Sequence, residues 1–286
     1  MKIFITGSTG LVGRDVIPVL AKKHNLFLLI RNPDKKKIFN NLQNINFIED
    51  DLENTDKFKE ILKNCEVILH ISGTVDPKKS MRINCELTRN LVAACDKKQK
   101  FIYVSSFNAG FKNPGKYALS KKMAEGIIQK SGLEYLIFRP TLMYNRRGNF
   151  YIAKLIKQII KFPFAVQPGD GSYLLQPLLT DDFAKIVLAG LEKINNRIIS
   201  VAGKEAVTIR ELINMIMART KIKPVVVLPL WLLKIVGGFV GLNREKVNEI
   251  SEDKTMNVKD IENEFHIELC SIKNMLPKII DYVKTT

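Results

Sequence analysis

The chain opens on Lys2-Ile3-Phe4-Ile5-Thr6-Gly7-Ser8-Thr9-Gly10-Leu11-Val12-Gly13, a β-branched and aromatic run that breaks into three glycines spaced by three. Such a run reads as a buried strand. Glycines placed directly after it let backbone N–H groups approach a phosphate, and a helix starting near Leu11 aims its positive end at that charge. The segment predicts a strand, a dinucleotide-phosphate turn made of Gly7, Thr9, Gly10, Leu11, Val12 and Gly13, and a helix. The spacing is G-x-x-G-x-x-G, not G-x-G-x-x-G.

Further strand-like runs occur at Leu26 to Ile30, Asn46 to Glu49, Val67 to His70, Phe101 to Val104, Tyr135 to Phe138 and Ile198 to Val201. Helical spacing lies between them. Val12, Val16, Val19 and Leu20 share one face, Thr55 is placed to cap a helix carrying Phe58, Ile61 and Leu62, and Leu87, Leu91 and Val92 stripe a third. The alternation predicts an α/β fold, a doubly wound parallel sheet. It weakens after Phe138, and Thr208-Ile209-Arg210-Glu211 is a capping box for a later helix. A nucleotide-binding domain over 1–140 is expected, with a strand and helix near 178–202 returning to it. Residues 141–286 are expected to form mainly a smaller substrate-binding lobe.

At 286 residues, 46% of them hydrophobic, the chain can bury a large core. Four cysteines and three histidines are scattered singly, without C-x-x-C or H-x-x-x-H spacing, so no zinc site or disulfide framework is expected. The first residues enter a strand directly, which predicts no secretion signal and a cytoplasmic protein. The longest apolar stretch, 225–242, is interrupted by Pro229, Lys234 and the glycines 237, 238 and 241, too broken to span a bilayer. A helix packed inside the C-terminal lobe is expected there. The alternative is a membrane- or protein-docking face built on Trp231, Leu232 and Phe239.

Chemistry enters at Ser105-Ser106, which close the fifth strand run, and at Tyr117-Ala118-Leu119-Ser120-Lys121 eleven residues after Ser106. Tyr and Lys four apart share a helix face. An ammonium beside a phenol favours the phenolate, so Tyr117 and Lys121 can exchange a proton with a substrate hydroxyl while Ser106 holds its oxygen.

Taken together these residues resemble the extended or atypical short-chain dehydrogenase/reductase superfamily, in its NAD-dependent epimerase/dehydratase branch. The resemblance rests on Thr6-Gly7-x-x-Gly10-x-x-Gly13, Asp51-Leu52, His70-Ile71-Ser72-Gly73, Asn84, Ser106, Tyr117, Lys121, Arg139-Pro140 and Thr180-Asp181-Asp182, and covers nearly the whole chain. It implies a Rossmann-type domain with a smaller C-terminal substrate lobe. It also implies an NAD(P)-dependent oxidoreductase, epimerase or dehydratase with Ser106, Tyr117 and Lys121 catalytic. The implied cofactor residues are the glycine turn, Asp51 and Leu52 at the adenine, Ile71, Ser72, Gly73, Asn84, Tyr117, Lys121 and Pro140. Arg139 has a second reading as a solvent-facing strand end, and Asp182 is read as a helix N-cap. A homodimer through the helices carrying Asn90 and Glu125 is a further implication.

The second strand ends in Arg31 where an NAD enzyme usually has a carboxylate, so NADP is favoured over NAD. Departures from the branch concern the substrate. Arg139-Pro140 leads into Thr141-Leu142-Met143-Tyr144, and Leu174-Leu175-Gln176 stands where an arginine often meets a nucleotide diphosphate, which argues against a nucleotide-sugar. Charge argues the other way: the net charge is +16, and 101–161 holds 11 basic residues against two acidic ones. Lys154, Lys157 and Lys161 fall on one helical face. Such a field suits a small anionic substrate, the alternative being a lysine-rich composition that only decorates the surface. Without aromatics interleaved among the basic positions, nucleic acid is not expected as a partner. The compact length also resembles the NADPH-binding accessory subunit of respiratory complex I. The alternative function is therefore a non-catalytic NADPH-binding or redox-sensing subunit.

Overall fold

A computed structural model describes residues 1–147, 151–232 and 255–285. Each apolar run of the first half becomes a strand. β1 (Lys2–Thr6) turns into α1 (Gly13–Leu20), followed by β2 (Asn25–Ile30), β3 (Ile45–Glu49), α2 (Thr55–Lys63) and β4 (Val67–His70). A wide-turn π segment, Met81–Glu86, then runs into α3 (Leu87–Ala94), β5 (Lys100–Val104), α4 (Lys116–Gln129) and β6 (Glu134–Pro140). Arg197–Val201 returns to pair with β6, so seven parallel strands lie in the order Arg197–Val201, β6, β5, β4, β1, β2, β3. This is the doubly wound parallel sheet the alternation predicts. β1 beyond Lys2 and all of β4 are buried because helices cover both sides, with the polar Thr6 and His70 at their carboxyl ends.

The chain divides into two units, Met1–Pro140 with Phe183–Val201, and Thr141–Asp182 with Ala202–Thr286. In the first, Phe4, Phe58, Leu62, Ile68, Leu91, Phe101, Ile128 and Ile137 form a core, with the Phe4 and Phe58 rings stacked at 5.3 Å. Burying Phe58 alone stabilises by about 1.5–3 kcal/mol. Two helix faces differ from expectation. In α1, Ile17 faces inward beside Gly13, Val16 and Leu20, and Val12 and Val19 flank that stripe half-buried. Thr55 is the first helical residue and not a cap, and Ile61 is exposed because Phe58 and Leu62, one turn apart, fill the inward stripe.

In the second unit the helices Tyr151–Lys161, Ile209–Arg219 and Ile272–Thr285 enclose Tyr144, Ile156, Leu212, Ile216, Leu276 and Ile280. The capping box is present: Thr208 and Glu211 bond each other's backbone N–H groups at 2.7 and 3.1 Å. Gln176 is buried and cross-linked, its amide donating to the carbonyls of Gly203 and Met256 and accepting from Met256 N–H. The buried helix expected over 225–242 is only partly what its described part forms: residues 230–232 are helical, with Trp231 65% exposed, but a strand precedes them. Val225–Leu228 is a strand paired in parallel with Ala165–Pro168, and Val225, Val226 and Val227 are exposed. Residues 233–242, with Phe239, lie outside the described ones. Among the described residues no helix is long and apolar enough to cross a membrane.

Candidate dinucleotide and proton-transfer site

The strand order reverses between β1 and β4, whose carboxyl ends are Thr6 and His70, and ligands of open parallel sheets gather at such a point. Gly7 has φ +75°, and a Cβ there would stand 2.5 Å from Ser72 N. At Gly13 a Cβ would stand 2.4 Å from the carbonyl oxygens of both Gly7 and Ser8. Only glycine allows the turn, the start of α1 and the 71–73 loop to approach this closely. Gly10 closes the turn by donating its N–H to Gly7 O at 3.0 Å. α1 begins without a side-chain cap, Leu11 is exposed, Thr9 is half-buried, and Ser8 Oγ is buried with no partner among the described residues. A backbone cradle at a helix start with an unspent hydroxyl fits a pyrophosphate. On the ends of β2 and β3, Arg31 lies 3.6 Å from Asp51 and is 78% exposed, with Leu52 buried beside them.

His70 ties this cradle to the proton-transfer residues. It is fully buried, its Nδ1 2.5 Å from Thr6 Oγ1 and its Nε2 2.8 Å from Thr88 Oγ1. Thr88 donates to Asn84 O, so its oxygen accepts from His70 Nε2–H, and Thr6 must then donate to Nδ1. Thr6 in turn accepts from Ser72 N–H at 3.4 Å. One directed chain thus runs from the 71–73 loop through β1 and β4 to the π segment. Burial drives the His70 pKa from 6.5 down to about 3, helped by the Lys121 charge. Between these values the unfolded chain binds a proton that the folded chain refuses. Stability is therefore full above pH 6.5 and falls towards pH 3, by up to about 1.4 kcal/mol per pH unit. His70→Gln is expected to unfold more easily at neutral pH but with a flatter acid slope. Urea titrations across that window check it, and identical slopes would contradict it.

Lys121 is buried, donates to Val104 O at 2.9 Å and lies 4.7 Å from the centre of the Tyr103 ring. Burial brings its pKa from 10.5 to about 7, against the opposing pull of Glu125. A Cβ at Gly73 would stand 2.9 Å from Lys121 Nζ and 3.0 Å from Asn84 Oδ1. Asn84 accepts from Thr74 N–H through that oxygen and donates to Thr74 O and Ser120 Oγ. The π segment, the loop after β4, with Ile71 and Ser72 half-buried, and α4 therefore meet at one point. π segments recur at functional sites because they re-aim a side chain within a helix.

Ser106 and Tyr117 are both half-buried. Ser106 Oγ accepts from Asn108 N–H at 3.3 Å, which orients the hydroxyl with its hydrogen to donate. Ser105, to which the sequence assigned no role, is buried and donates to Glu125 at 2.5 Å. Glu125, 2% exposed, also takes a two-pronged pair from Arg139 at 2.9 and 2.5 Å. Arg139 is thus half-buried in an ion pair, correcting the solvent-facing reading, and the pairing keeps its pKa raised. Val104 bonded to Lys121 and Ser105 bonded to Glu125 hold the strand end carrying Ser106 against the helix carrying Tyr117. The signal for Glu125 was available: Tyr117, Lys121 and Glu125 are spaced by four along one helix. Pro140 is buried and ends β6. Asp182 is not an N-cap, since its helix starts at Thr180; buried in the first turn, it accepts from Cys270 N–H at 2.7 Å.

A protein family described as NAD(P)H-binding matches residues 7–158. The 3 beta-hydroxysteroid dehydrogenase/Delta 5→4-isomerase of vaccinia virus (strain Copenhagen) is 28% identical over 156 residues, 44% of this chain and 45% of that protein. The mitochondrial NADH-ubiquinone oxidoreductase 40 kDa subunit of Neurospora crassa is 26% identical over 149 residues, 49% of this chain and 40% of that protein. The chain thus spans less than half the length of these curated relatives. A solved structure of UDP-glucuronic acid 4-epimerase from Bacillus cereus, in complex with UDP-glucuronic acid and NAD, superposes with a TM-score of 0.79 at 20% identity, covering 100% of this chain and 99% of that one. That likeness is one of fold. The family match spans the glycine turn, His70, Thr88 and the Tyr117–Lys121 helix together, and the chain accordingly belongs to the NAD(P)H-binding family.

Proposed function

We propose that the chain is an NAD(P)-dependent oxidoreductase or epimerase that moves a proton between the Tyr117 phenol and a hydroxyl or carbonyl of a small anionic substrate. The observation that carries the reading is Lys121, a buried amine with its pKa brought to about 7, one helical turn from Tyr117 and bonded to the strand end before Ser106. When bound, a nicotinamide dinucleotide supplies or accepts a hydride. Tyr117 gives or takes the accompanying proton on oxygen, the charged form of Lys121 favours the phenolate, and Ser106 donates to the reacting oxygen. A nucleotide-sugar is not favoured as substrate. Gln176 spends its amide on Gly203 and Met256 and does not stand in for the arginine that the resemblance places there.

Dinucleotide-dependent turnover on a panel of anionic hydroxy and carbonyl compounds tests the proposal. Turnover that survives in Tyr117→Phe would overturn it. The match to a respiratory-complex subunit supports a second reading, a dinucleotide held without catalysis. It predicts intact dinucleotide binding and no turnover with any member of the panel.

The exposed Arg31 supports NADP as the cofactor. Arg31→Ala is expected to weaken NADPH binding about tenfold and leave NADH binding unchanged, because a guanidinium gains a charge-assisted bond only from the extra phosphate. Parallel fluorescence titrations measure it, and equal losses for both nucleotides would remove Arg31 from that role. A homodimer through α3 and α4 would use the exposed Asn90, Leu119 and Met123, not the buried Glu125. Sedimentation showing only monomer would dismiss it.

A further inference from the structure

In the second unit, Val225–Leu228 pairs in parallel with Ala165–Pro168, and Val225, Val226 and Val227 are 39%, 39% and 53% exposed. Side chains alternate across a strand, so three consecutive exposed valines mean that both faces of this edge strand are open. Phe162 and Phe164, stacked at 6.3 Å, adjoin it and are 47% and 38% exposed, and Ile222 is 86% exposed. The pieces are joined: Ala165 N–H donates to Pro224 O, and Lys223 Nζ donates to the carbonyls of Ile159, Ile160 and Phe162. Surface apolar residues scattered singly need no explanation, but a contiguous ribbon of this kind marks a contact site.

Charge selects the partner. The stretches that build the ribbon, 151–168 and 220–232, contain five lysines and no aspartate or glutamate. Lys154, Lys157, Lys161 and Lys221 are exposed, while Lys223 is spent on the helix end. Aromatic and aliphatic side chains bordered by long cations of one sign suit a surface that is apolar within and anionic outside, with lysine stems lying on the apolar zone and ammonium groups at the phosphates.

We propose that this face docks the protein onto an anionic lipid bilayer, with Phe162, Phe164 and the 225–227 valines entering the headgroup boundary and Lys157, Lys161 and Lys221 meeting lipid phosphates. The proposal is independent of the dinucleotide chemistry. Its residues belong to the second unit, and the candidate catalytic and cofactor residues belong to the first.

The test is co-sedimentation of the full chain with vesicles of phosphatidylcholine alone or with roughly one third phosphatidylglycerol. Binding is expected only to the anionic vesicles and should weaken with salt. Neutralising Lys157, Lys161 and Lys221 to glutamine should lower the partition coefficient about fivefold per lysine, roughly a hundredfold for the triple variant. Val226→Glu should abolish binding while leaving unfolding midpoint and dinucleotide affinity unchanged. Absence of binding to either vesicle, or undiminished binding by both variants, would overturn the proposal. So would a concentration-dependent dimer broken by Val226→Glu in a chain that ignores vesicles, which would assign the face to a second copy.

Discussion

Truncation of Glu125 to alanine is expected to lower the unfolding free energy of the first unit by about 3–5 kcal/mol. The carboxylate is 2% exposed and accepts three hydrogen bonds, two from Arg139 and one from Ser105. Without it a half-buried guanidinium and a buried hydroxyl lose their acceptor in a place water reaches poorly. The Arg139 side chain keeps 21% exposure and can recover part of its hydration, which puts the loss at the lower end of the range. Arg139→Met alone leaves the carboxylate unpaired and should be at least as damaging. The double replacement Glu125→Leu with Arg139→Met removes both charges and should recover much of the loss, because a buried ion pair gains little over apolar groups of similar volume. Denaturant unfolding of the singles Glu125→Leu and Arg139→Met and of the double closes a double-mutant cycle. A loss below about 1 kcal/mol in Glu125→Ala would mean that the network does not brace the end of β5.

Tyr117→Phe is expected to reduce turnover by about 10²–10⁴-fold with dinucleotide affinity within about twofold of the parent. Phenylalanine keeps the ring and its packing and removes only the ionisable oxygen. Lys121→Met separates chemistry from stability. It should cut turnover comparably, yet unfold no more easily than the parent. The parent holds its ammonium poorly in the folded state, with a pKa near 7 against the ordinary 10.5. Between those values the unfolded chain binds the proton more readily, so this amine's penalty is absent above pH 10.5 and complete below pH 7. The stabilising effect of Lys121→Met should therefore be largest below neutrality. Steady-state kinetics beside pH-dependent unfolding measure both. A Lys121→Met variant that loses stability and activity in proportion would mark the lysine as structural.

Much of the fold was legible because its strands are short apolar runs bounded by turn residues. Lys2–Thr6 and Val67–His70 match the sequence reading to the residue, and Lys100–Val104 begins one residue earlier than expected. The misreadings share a cause. A four-residue apolar run carries no periodicity that separates strand from buried helix, so Val225–Leu228 was assigned to the wrong element. At α1 the inward stripe is Gly13, Val16, Ile17 and Leu20, so that Val12 and Val19 flank it and Ile17, left out of the expected face, belongs to it. In the candidate site, reactive residue types were visible from spacing, but their partners were not. Glu125 to Arg139 and His70 to Thr6 and Thr88 are pairings between elements, and a single sequence records only spacing within one element.

The return of Arg197–Val201 to the edge of the sheet bears on how the chain acquires its structure during synthesis. β6 is complete at Pro140, but its second neighbour is made only after a long intervening stretch has left the ribosome. In the interval the nascent sheet carries an open edge at Leu136 to Phe138, with bare backbone donors and acceptors beside apolar side chains that the finished protein buries. Phe138 also waits for Phe183, whose ring meets it edge-on at 5.8 Å. The slowest and most vulnerable step of maturation should therefore be this late closure, and substitutions along Arg197–Val201 should lower soluble yield in cells out of proportion to their effect on the purified protein.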